Sequence, residues 1–316
     1  MRTAWDLIKA TFSEWIEDKA QRLGAAFAYY AAFSLAPLLV IVVAITNHLY
    51  AGNSLADIHA QVAAMIGNNA ADAVVATMRA LQATHHSGFA TTISIIAILI
   101  GATGAFGSLQ DAMNTIWEVT PKSRHFLVDL LRTRLVSFVM VFCFCLLLIL
   151  SLSASAALAL ATRYVATIYP QTTLLWRVAD YGLSLVLTTL VFATLYKVLP
   201  DVRLHWSDVT IGAFATAVLF TLGRIPLALY LRHSTLVSAY GAAGSVMVLL
   251  AWVYYSAQIL FLGAEFTQVY VNHRGGGLKT SRGAKFMSEV ERIHEGIPHA
   301  QTMEEVRRKT RERRPA

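Results

Sequence analysis

The chain has little charge for its length. Only 14% of its 316 residues are Asp, Glu, Lys or Arg, whereas an ordinary soluble domain carries about a quarter. Hydrophobic residues make up 56%. A soluble fold of this size leaves most of its residues in contact with water, so it has no place for this much apolar surface. The composition therefore argues against a soluble protein and predicts an all-helical integral membrane protein with several spans.

Cysteine is nearly absent, which excludes a disulfide framework. Cys143 and Cys145 lie two positions apart, so on a helix they point roughly 200° apart and do not bridge each other. The histidines show no metal-ligand spacing, since His85 and His86 are adjacent rather than one turn apart. The sequence offers no nucleophile with a neighbouring base and no carboxylate cluster suited to two metals. We predict no catalytic residue, no metal and no cofactor.

Six hydrophobic stretches approach or exceed the length of about 20 residues that a helix needs to cross a bilayer. The last apolar run, 240–271, contains one charged residue, Glu265. A signal peptide is not expected, because the first 22 residues mix both signs of charge ahead of any short apolar core. The predicted spans are residues 25–49, 89–106, 135–160, 181–199, 209–231 and 244–270.

Amphipathic helices are predicted outside these spans. Residues 4–22 repeat large apolar side chains near helical spacing, which predicts a helix lying on the membrane surface. The first connection, 50–87, contains two apolar stripes broken at Gly67. This connection is therefore predicted to form two short helices on the outer side of the membrane. In the N-terminal helix, the large apolar side chains at helical spacing are Trp5, Ile8, Phe12, Trp15, Ile16 and Leu23.

Lys and Arg residues set the predicted orientation. Alternate sides of the six spans carry 21 of them against 4, and the richer side faces the cytoplasm. Both termini are therefore predicted to be cytoplasmic. We divide the chain into an N-terminal interfacial helix (1–24), a six-span domain (25–271) and a largely disordered basic tail (272–316).

Ionisable groups inside a membrane are costly and mark candidate sites. Arg224 is predicted roughly 10 Å below the outer surface at 1.5 Å per residue. Asp180 enters the fourth span from the same side, so we predict an Asp180–Arg224 pair. The alternative is that Arg224 snorkels to the interface alone. Pro226 removes a backbone donor and predicts a kink beside the charge.

Polar groups in the first span indicate a kinked helix that lines a pathway. Polar side chains in mid-membrane normally face protein or a watery cavity, and Pro37 frees a backbone carbonyl near the centre of the span. Proline kinks are also ordinary in membrane helices, so both interpretations stay open. The predicted cavity residues are Tyr29, Tyr30, Ser34, Pro37, Asp180, Arg224 and Tyr240.

A second polar cluster is predicted at the inner end of the bundle. Asp111, Asn114 and Glu118 share one helical face, and Glu265 falls near the inner end of the last span. This cluster is interpreted either as a belt of interfacial salt bridges or as an inner gate or ion site. The inner-gate candidates are Asp111, Asn114, Glu118, Glu265 and Gln268.

The basic tail has two interpretations. Arg307, Arg308 and Lys309 favour binding to anionic lipid headgroups, or they belong to a solvated disordered end. Nucleic acid is not an expected partner, because no aromatic residues that stack on bases interleave these cations. Membrane lipids are the predicted partner, and homo-oligomerisation is left open.

Four blocks of the sequence are distinctive when taken together. They are DKAQRLGAAFAYYAAFSLAPLL at 18–39, LQDAMNTIWEV at 109–119, LPD at 199–201 with Trp206 and Gly212 following, and YGAAG to LGAE across 240–265. Together they resemble the YihY/BrkB family of bacterial inner-membrane proteins, formerly labelled ribonuclease BN. The resemblance covers about residues 5–272. It implies six helices with both ends inside. Members have been linked with serum resistance and envelope lipid export, which suggests transport, and we regard the ribonuclease label as misassigned.

The favoured function is an inner-membrane transporter or a lipid- or amphiphile-translocating protein with a polar cavity between its helices. A wet cavity containing Arg224 or Tyr30 would favour this function. The alternative is a membrane scaffold that organises envelope machinery without transport, which a sealed, dry interior would favour. An enzyme, and a ribonuclease in particular, is the least favoured class.

Overall fold

The computed structural model describes residues 4–32, 59, 75, 104–121, 173–233, 242–274, 278–281, 283–299 and 302. The chain divides into two compact units. One comprises residues 1–23, 110–219 and 258–316, and the other comprises 24–109 and 220–257. Both ends of the chain therefore belong to the same unit, which we call the terminal unit.

The described part of the chain is mostly helical, as predicted. Helix α1 spans Ala4–Glu17, and after a break at Asp18 and Lys19 helix α2 covers 20–32. Helix α3 covers 104–116. The remaining helices are α4 (Thr173–Val198), α5 (Trp206–His233), α6 (Ala242–His273) and the short α7 (Glu289–Glu295).

Helices α4, α5 and α6 are long and apolar enough to cross a membrane, over Tyr181–Val198, Trp206–Leu227 and Met247–His273. Large apolar side chains are exposed along them, including Val186 and Phe214, as expected for helices that face lipid. These helices match the last three predicted spans within a few residues. The first three predicted spans and the first outer loop fall largely outside the described residues, so the total of six stays a prediction.

Four short strands, which the sequence analysis did not predict, connect the C-terminal segment to two loops. Strand β1 (Val119–Pro121) follows α3 and pairs antiparallel with β4 (Ala284–Phe286), with Val119 opposite Phe286. Strand β2 (Val202–Arg203) lies between α4 and α5 and pairs antiparallel with β3 (Lys279–Thr280). The C-terminal segment is therefore hydrogen-bonded both to the strand after α3 and to the turn between α4 and α5.

The segment 283–299 is ordered, whereas the sequence analysis expects a largely disordered tail. Its helix α7 carries the signals that define helix ends. The Ser288 side chain accepts a hydrogen bond from the Glu291 backbone, and the Glu291 side chain accepts one from the Ser288 backbone. Gly296 closes the helix at φ 75°, a conformation that glycine adopts without strain. The expectation weighed the density of Lys and Arg and overlooked this capping box.

Helices α5 and α6 meet in a reciprocal contact between glycine and threonine. A Cβ atom added to Gly212 would overlap the Thr267 hydroxyl, and one added to Gly263 would overlap the Thr216 hydroxyl. Each threonine hydroxyl donates a hydrogen bond to the carbonyl of the glycine four residues earlier on its own helix, at 2.7 and 2.6 Å. Small residues of this kind allow membrane helices to approach closely.

Tyr196 ties α4 to the same contact. Its hydroxyl donates to the Leu260 carbonyl at 2.8 Å and lies 2.9 Å from Oγ1 of Thr216. The Tyr196 side chain is fully buried. Because its single polar atom is hydrogen-bonded, this tyrosine packs between three apolar helices without leaving an unsatisfied group.

Candidate functional site

The break between α1 and α2 turns a carboxyl group into the interior of the terminal unit. The Asp18 amide donates to the Glu14 carbonyl at 2.8 Å, and the Lys19 amide donates to Ile16 at 3.1 Å. Lys19 then adopts a left-handed φ of 53°, which ends the regular helix. Asp18 is 2% exposed, so a charged residue type that normally lies at the surface is enclosed here.

Glu265, on α6, is the most deeply enclosed carboxyl among the described residues. It is 0% exposed, and neither carboxyl oxygen has a hydrogen-bond partner within the described part of the chain. It lies close enough to Asp18, Glu14 and Glu118 for their charges to act on it. A buried carboxyl without a donor is costly as a bare anion, so it needs a proton or a nearby cation.

A third carboxyl comes from the end of α3. The helix stops at residue 116, and Glu118 adopts a left-handed φ of 52°. Its carbonyl accepts a hydrogen bond from the Met287 amide at 2.7 Å, which continues the pairing of β1 with β4. The side chain of Glu118 remains about one-third exposed, at 32%, so it connects the buried carboxyls to solvent.

The cation of the cluster is Arg292, from α7. Its Nη2 atom donates to Oδ1 of Asp18 at 2.8 Å, and its Nη1 atom lies 3.6 Å from Oε1 of Glu118. The side chains of Arg292 and Asp18 are 1% and 3% exposed. Nε and Nη1 of Arg292 are buried without a hydrogen-bond partner among the described residues, so this guanidinium is held mainly by charge. We call Glu14, Asp18, Glu118, Glu265 and Arg292 the inner cluster.

Burial dominates the electrostatics of Asp18. It raises the pKa of Asp18 to about 7, against the charge and hydrogen bond of Arg292, and the carboxylates of Glu118 and Glu14 add to the rise. Burial also raises the pKa of Glu14, helped by Glu17 and Glu118. Two members of the inner cluster therefore change charge closer to neutral pH than ordinary carboxyls do.

His299 closes the edge of this cluster. Its Nδ1 atom lies 2.6 Å from Oε2 of Glu289, and its Nε2 atom lies 3.3 Å from Oε1 of Glu118. Burial lowers the pKa of His299, but the hydrogen bond to Glu289 and the charge of Glu118 outweigh burial and the charge of Arg292, so the pKa is raised. The His299 ring thus lies between two carboxyl groups at the end of the C-terminal segment.

Comparison with known proteins identifies the family. Residues 11–287 match the sequence model of the family described as Virulence factor BrkB, which is most of the chain and includes every member of the inner cluster except Arg292. The chain belongs to the BrkB family. This confirms the resemblance found in the sequence. Arg292 lies five residues beyond the matched region.

Relatives of this BrkB-family chain include proteins named as membrane proteins and one named ribonuclease-like. The ribonuclease-like protein YfkH of Bacillus subtilis is 25% identical over 82% of this chain and 92% of its own length. A UPF0761 membrane protein of Aliivibrio fischeri is 24% identical over 84% of each chain. One from Glaesserella parasuis is 25% identical over 56% of this chain and 60% of its own. No solved structure matches. Together with the three spanning helices, these relatives confirm a membrane protein.

The BrkB-family fold brings some predicted inner-gate residues together. Glu118 and Glu265 join the inner cluster. Gln268 is buried at 4% exposure. Asn114 instead faces the turn after α4, where its Nδ2 atom donates to Oδ2 of Asp201 at 3.1 Å and its Oδ1 atom accepts from the Asp201 amide at 2.8 Å. Asp111 is exposed.

The predicted cavity residues are less fully described. Tyr29 and Tyr30 are half exposed, with ring centroids 5.7 Å apart, and the Tyr30 ring contacts Gly104. Arg224 is exposed. The side chain of Asp180 lies outside the described residues, so its pairing with Arg224 stays a prediction. Ser34, Pro37 and Tyr240 also lie outside them.

Sequence reasoning missed three members of the inner cluster, namely Glu14, Asp18 and Arg292, and Glu14 looks like an ordinary charge on α1. Asp18 looks like an ordinary charge on the polar face of a surface helix, and Arg292 was counted with the basic tail. The capping box from Ser288 to Glu291 is the signal that would have predicted a helix around Arg292. Among the described residues, no group of three or more His, Cys, Asp or Glu is arranged to hold a metal ion.

Proposed function

We propose that this BrkB-family chain is a transporter of the bacterial cytoplasmic membrane that moves a lipid, another amphiphile or a small solute. One observation carries the proposal, namely the fully buried Glu265 on a membrane-spanning helix, with no hydrogen-bond partner in the described part of the chain. Intramembrane carboxyls are expensive, and they typically mark ion or substrate pathways. A purely structural helix gains nothing from this residue.

The inner cluster acts in this proposal as the inner gate. Both termini lie in the cytoplasm, as the Lys and Arg distribution favours, so the cluster controls access from that side. Arg292 enters it from a short capped helix outside the membrane-spanning segments, held at Asp18 by an ion pair of 2.8 Å. If Arg292 left the inner cluster, the buried carboxyls would lose their compensating cation. The gate would therefore have two charge states, one with Arg292 in place and one without it.

In this proposal the substrate occupies a polar cavity between membrane-spanning helices. Arg224 suits an anionic or amphiphilic substrate, because its side chain is exposed on a helix long enough to cross the membrane. Lys19 and Arg22 supply further cations at the cytoplasmic side. Anionic headgroups of membrane lipids are the partners that fit this distribution of charge.

The test uses purified protein in liposomes. Wild-type protein is expected to move fluorescent phospholipids or encapsulated solutes between the two sides, and Glu265→Gln is expected to reduce this to the level of empty liposomes. Glu295→Gln is the matched control, since it removes the same charge from an exposed residue of α7. Wild-type protein that moves no lipid, ion or small solute would contradict the proposal.

A non-transporting scaffold is the second candidate, favoured by the close contact of α5 with α6 at Gly212 and Gly263. Helices that interlock this tightly suit a sealed bundle. Solvent accessibility of a cysteine introduced at Tyr30 or Arg224 separates the two functions. Labelling by a membrane-impermeant thiol reagent indicates a water-filled pathway, and protection of both positions in lipid supports the scaffold.

Ribonuclease activity is not part of the proposal, although the relative YfkH is named ribonuclease-like. No metal-ligating group of acidic or histidine residues is formed by the described residues, and the inner cluster pairs its carboxyls with an arginine. Purified protein incubated with RNA is expected to leave it intact. Cleavage that disappears with a single acidic substitution would establish an enzyme instead.

A further inference from the structure

The inner cluster has more buried acid than buried base. Asp18 and Glu265 are both essentially inaccessible to solvent, at 2% and 0% exposure, and Arg292 is the buried cation that acts on them from the described part of the chain. One guanidinium compensates one carboxylate. A second bare carboxylate in the same enclosed space is too costly to keep, so the charges balance when one carboxyl carries a proton.

The geometry tells the two carboxyls apart. Asp18 accepts a hydrogen bond of 2.8 Å from Arg292, so its ionised form has a partner. Glu265 has none for either oxygen among the described residues. Ionised Asp18 is thus stabilised by a donor that Glu265 lacks, and the proton that balances the charge belongs to Glu265.

Solvent reaches the pair through the remaining carboxyls. Among the described residues, the groups whose charges act on Glu265 are Asp18 at the break after α1, Glu14 on α1, Glu118 after α3 and Arg292 on α7. Glu118 is 32% exposed, and Glu14 is partly exposed one turn before Asp18. These two side chains offer a route from water to Asp18, whereas the Glu265 side chain is itself 0% exposed.

We propose that Asp18 and Glu265 form a proton-binding pair, in which Glu265 keeps one proton and Asp18 exchanges another with water by way of Glu14 and Glu118. When Asp18 releases its proton, its carboxylate pairs with Arg292. When Asp18 takes up a proton, the remaining ion pair of Arg292 is with Glu118, whose Oε1 atom lies 3.6 Å from Nη1. The proposed proton site depends only on the residues of the inner cluster. Its role as the coupling ion of a transporter rests on the proposed function.

Infrared difference spectroscopy on protein in lipid nanodiscs tests the pair directly. Between about pH 5 and about pH 9, a range that spans the ordinary values of carboxyls and histidine, wild-type protein is expected to lose part of its protonated-carboxyl band and to retain the rest. Glu265→Gln should lose the retained part, and Asp18→Asn should lose the part that changes near neutral pH. Glu295→Gln should match the wild type.

Two further results would overturn the proposal, and Arg292→Lys serves as a control. A retained band that is unchanged in Glu265→Gln overturns the assignment of its proton. Loss of the band on adding sodium at fixed pH means that the pair takes a metal cation instead. Arg292→Lys keeps the positive charge and should keep the wild-type pattern, which guards against misfolding of stronger substitutions.

Liposome transport separates this inference from the proposed function. A proton gradient is expected to accelerate transport by wild-type protein and to have no effect on Asp18→Asn. Proteoliposomes that show no transport, while the infrared signals remain assigned to Asp18 and Glu265, refute the transporter and leave the proton site standing. Transport that ignores the gradient refutes the coupling alone.

Discussion

Nη2 of Arg292 lies 2.8 Å from Oδ1 of Asp18, across 274 residues of sequence and with both side chains almost fully enclosed. This ion pair joins the break between the first two helices to a helix near the C-terminus. A buried pair contributes little net stability against an apolar replacement of both partners, but removing one partner is expensive. The pair therefore acts mainly by fixing where the C-terminal segment docks.

Arg292→Met is expected to destabilise the protein by about 3 kcal/mol, because it leaves the buried carboxyls without a cation. Asp18→Asn should cost less, since the amide oxygen still accepts the hydrogen bond from Arg292. The measurement is the thermal unfolding midpoint in detergent. Lys285→Met is the control: its 2.5 Å pair with Glu291 is solvent-exposed, and such pairs contribute at most about 1 kcal/mol. Equal losses for Asp18→Asn and Arg292→Met would contradict this ranking.

Stability is expected to fall as the pH rises through neutrality. A carboxyl whose pKa is raised on folding favours the folded state most below its unfolded value, near about 4. This contribution is lost as the pH rises through about 7, the raised pKa of Asp18. Unfolding midpoints measured against pH should therefore decline for the wild type and decline less for Asp18→Asn. Parallel pH profiles for the two proteins would rule out Asp18 as the source.

Gly212→Ala is expected to destabilise the contact of α5 with α6 by about 1–3 kcal/mol, since overpacking forces the backbones apart. The double variant with Thr267→Ala should recover part of the loss, because the overlapping hydroxyl is removed while the Cβ of residue 267 remains 2.8 Å from the added Cβ. Gly182→Ala is the control on α4, where an added Cβ meets nothing within 4 Å. Thermal unfolding measures all three, and an unrescued double variant would show that the overlap is not the cause.

Asn114→Leu is expected to cost about 1–3 kcal/mol, because it leaves the partly buried polar groups of Asp201 without their partner. Asn114 both donates to and accepts from Asp201, at 3.1 and 2.8 Å. Gln110→Ala tests the weaker neighbour, which reaches Asp201 only at 3.5 Å, and should change stability little. Equal losses for Asn114→Leu and Gln110→Ala would show that the two hydrogen bonds between Asn114 and Asp201 contribute no more than the single one from Gln110.

The end of the C-terminal segment is expected to loosen at alkaline pH. The pKa of His299 is raised despite burial, by the hydrogen bond to Glu289 and the charge of Glu118. Its contribution is therefore complete below about 6.5, the ordinary value, and is lost as the pH rises through the raised value. Distances between spin labels at Ile8 and Ile293, both exposed, should broaden above that pH. The distance distribution of His299→Gln should be broad at every pH. The His205→Gln control should show the same pH dependence as the wild type.

Sequence reasoning predicted the last three membrane-spanning helices well, because a run of apolar residues is a local signal. The spans 181–199, 209–231 and 244–270 match α4, α5 and α6. It also placed Glu265 near Glu118 by counting residues along the last helix. It missed Arg292 as the partner, since no local pattern reports a contact between residues 274 positions apart. The left-handed break at Lys19 was equally hidden, because lysine carries no preference for that conformation.

The link between Asp18 and Arg292 also sets an order for biosynthesis. Asp18 is made 274 residues before Arg292, so while the helices between them are synthesised the break after α1 exists without its cation. The terminal unit therefore cannot complete its fold until Arg292 has been made. Until then the Asp18 and Glu265 carboxyls must remain protonated or hydrated to avoid the cost of a bare buried anion.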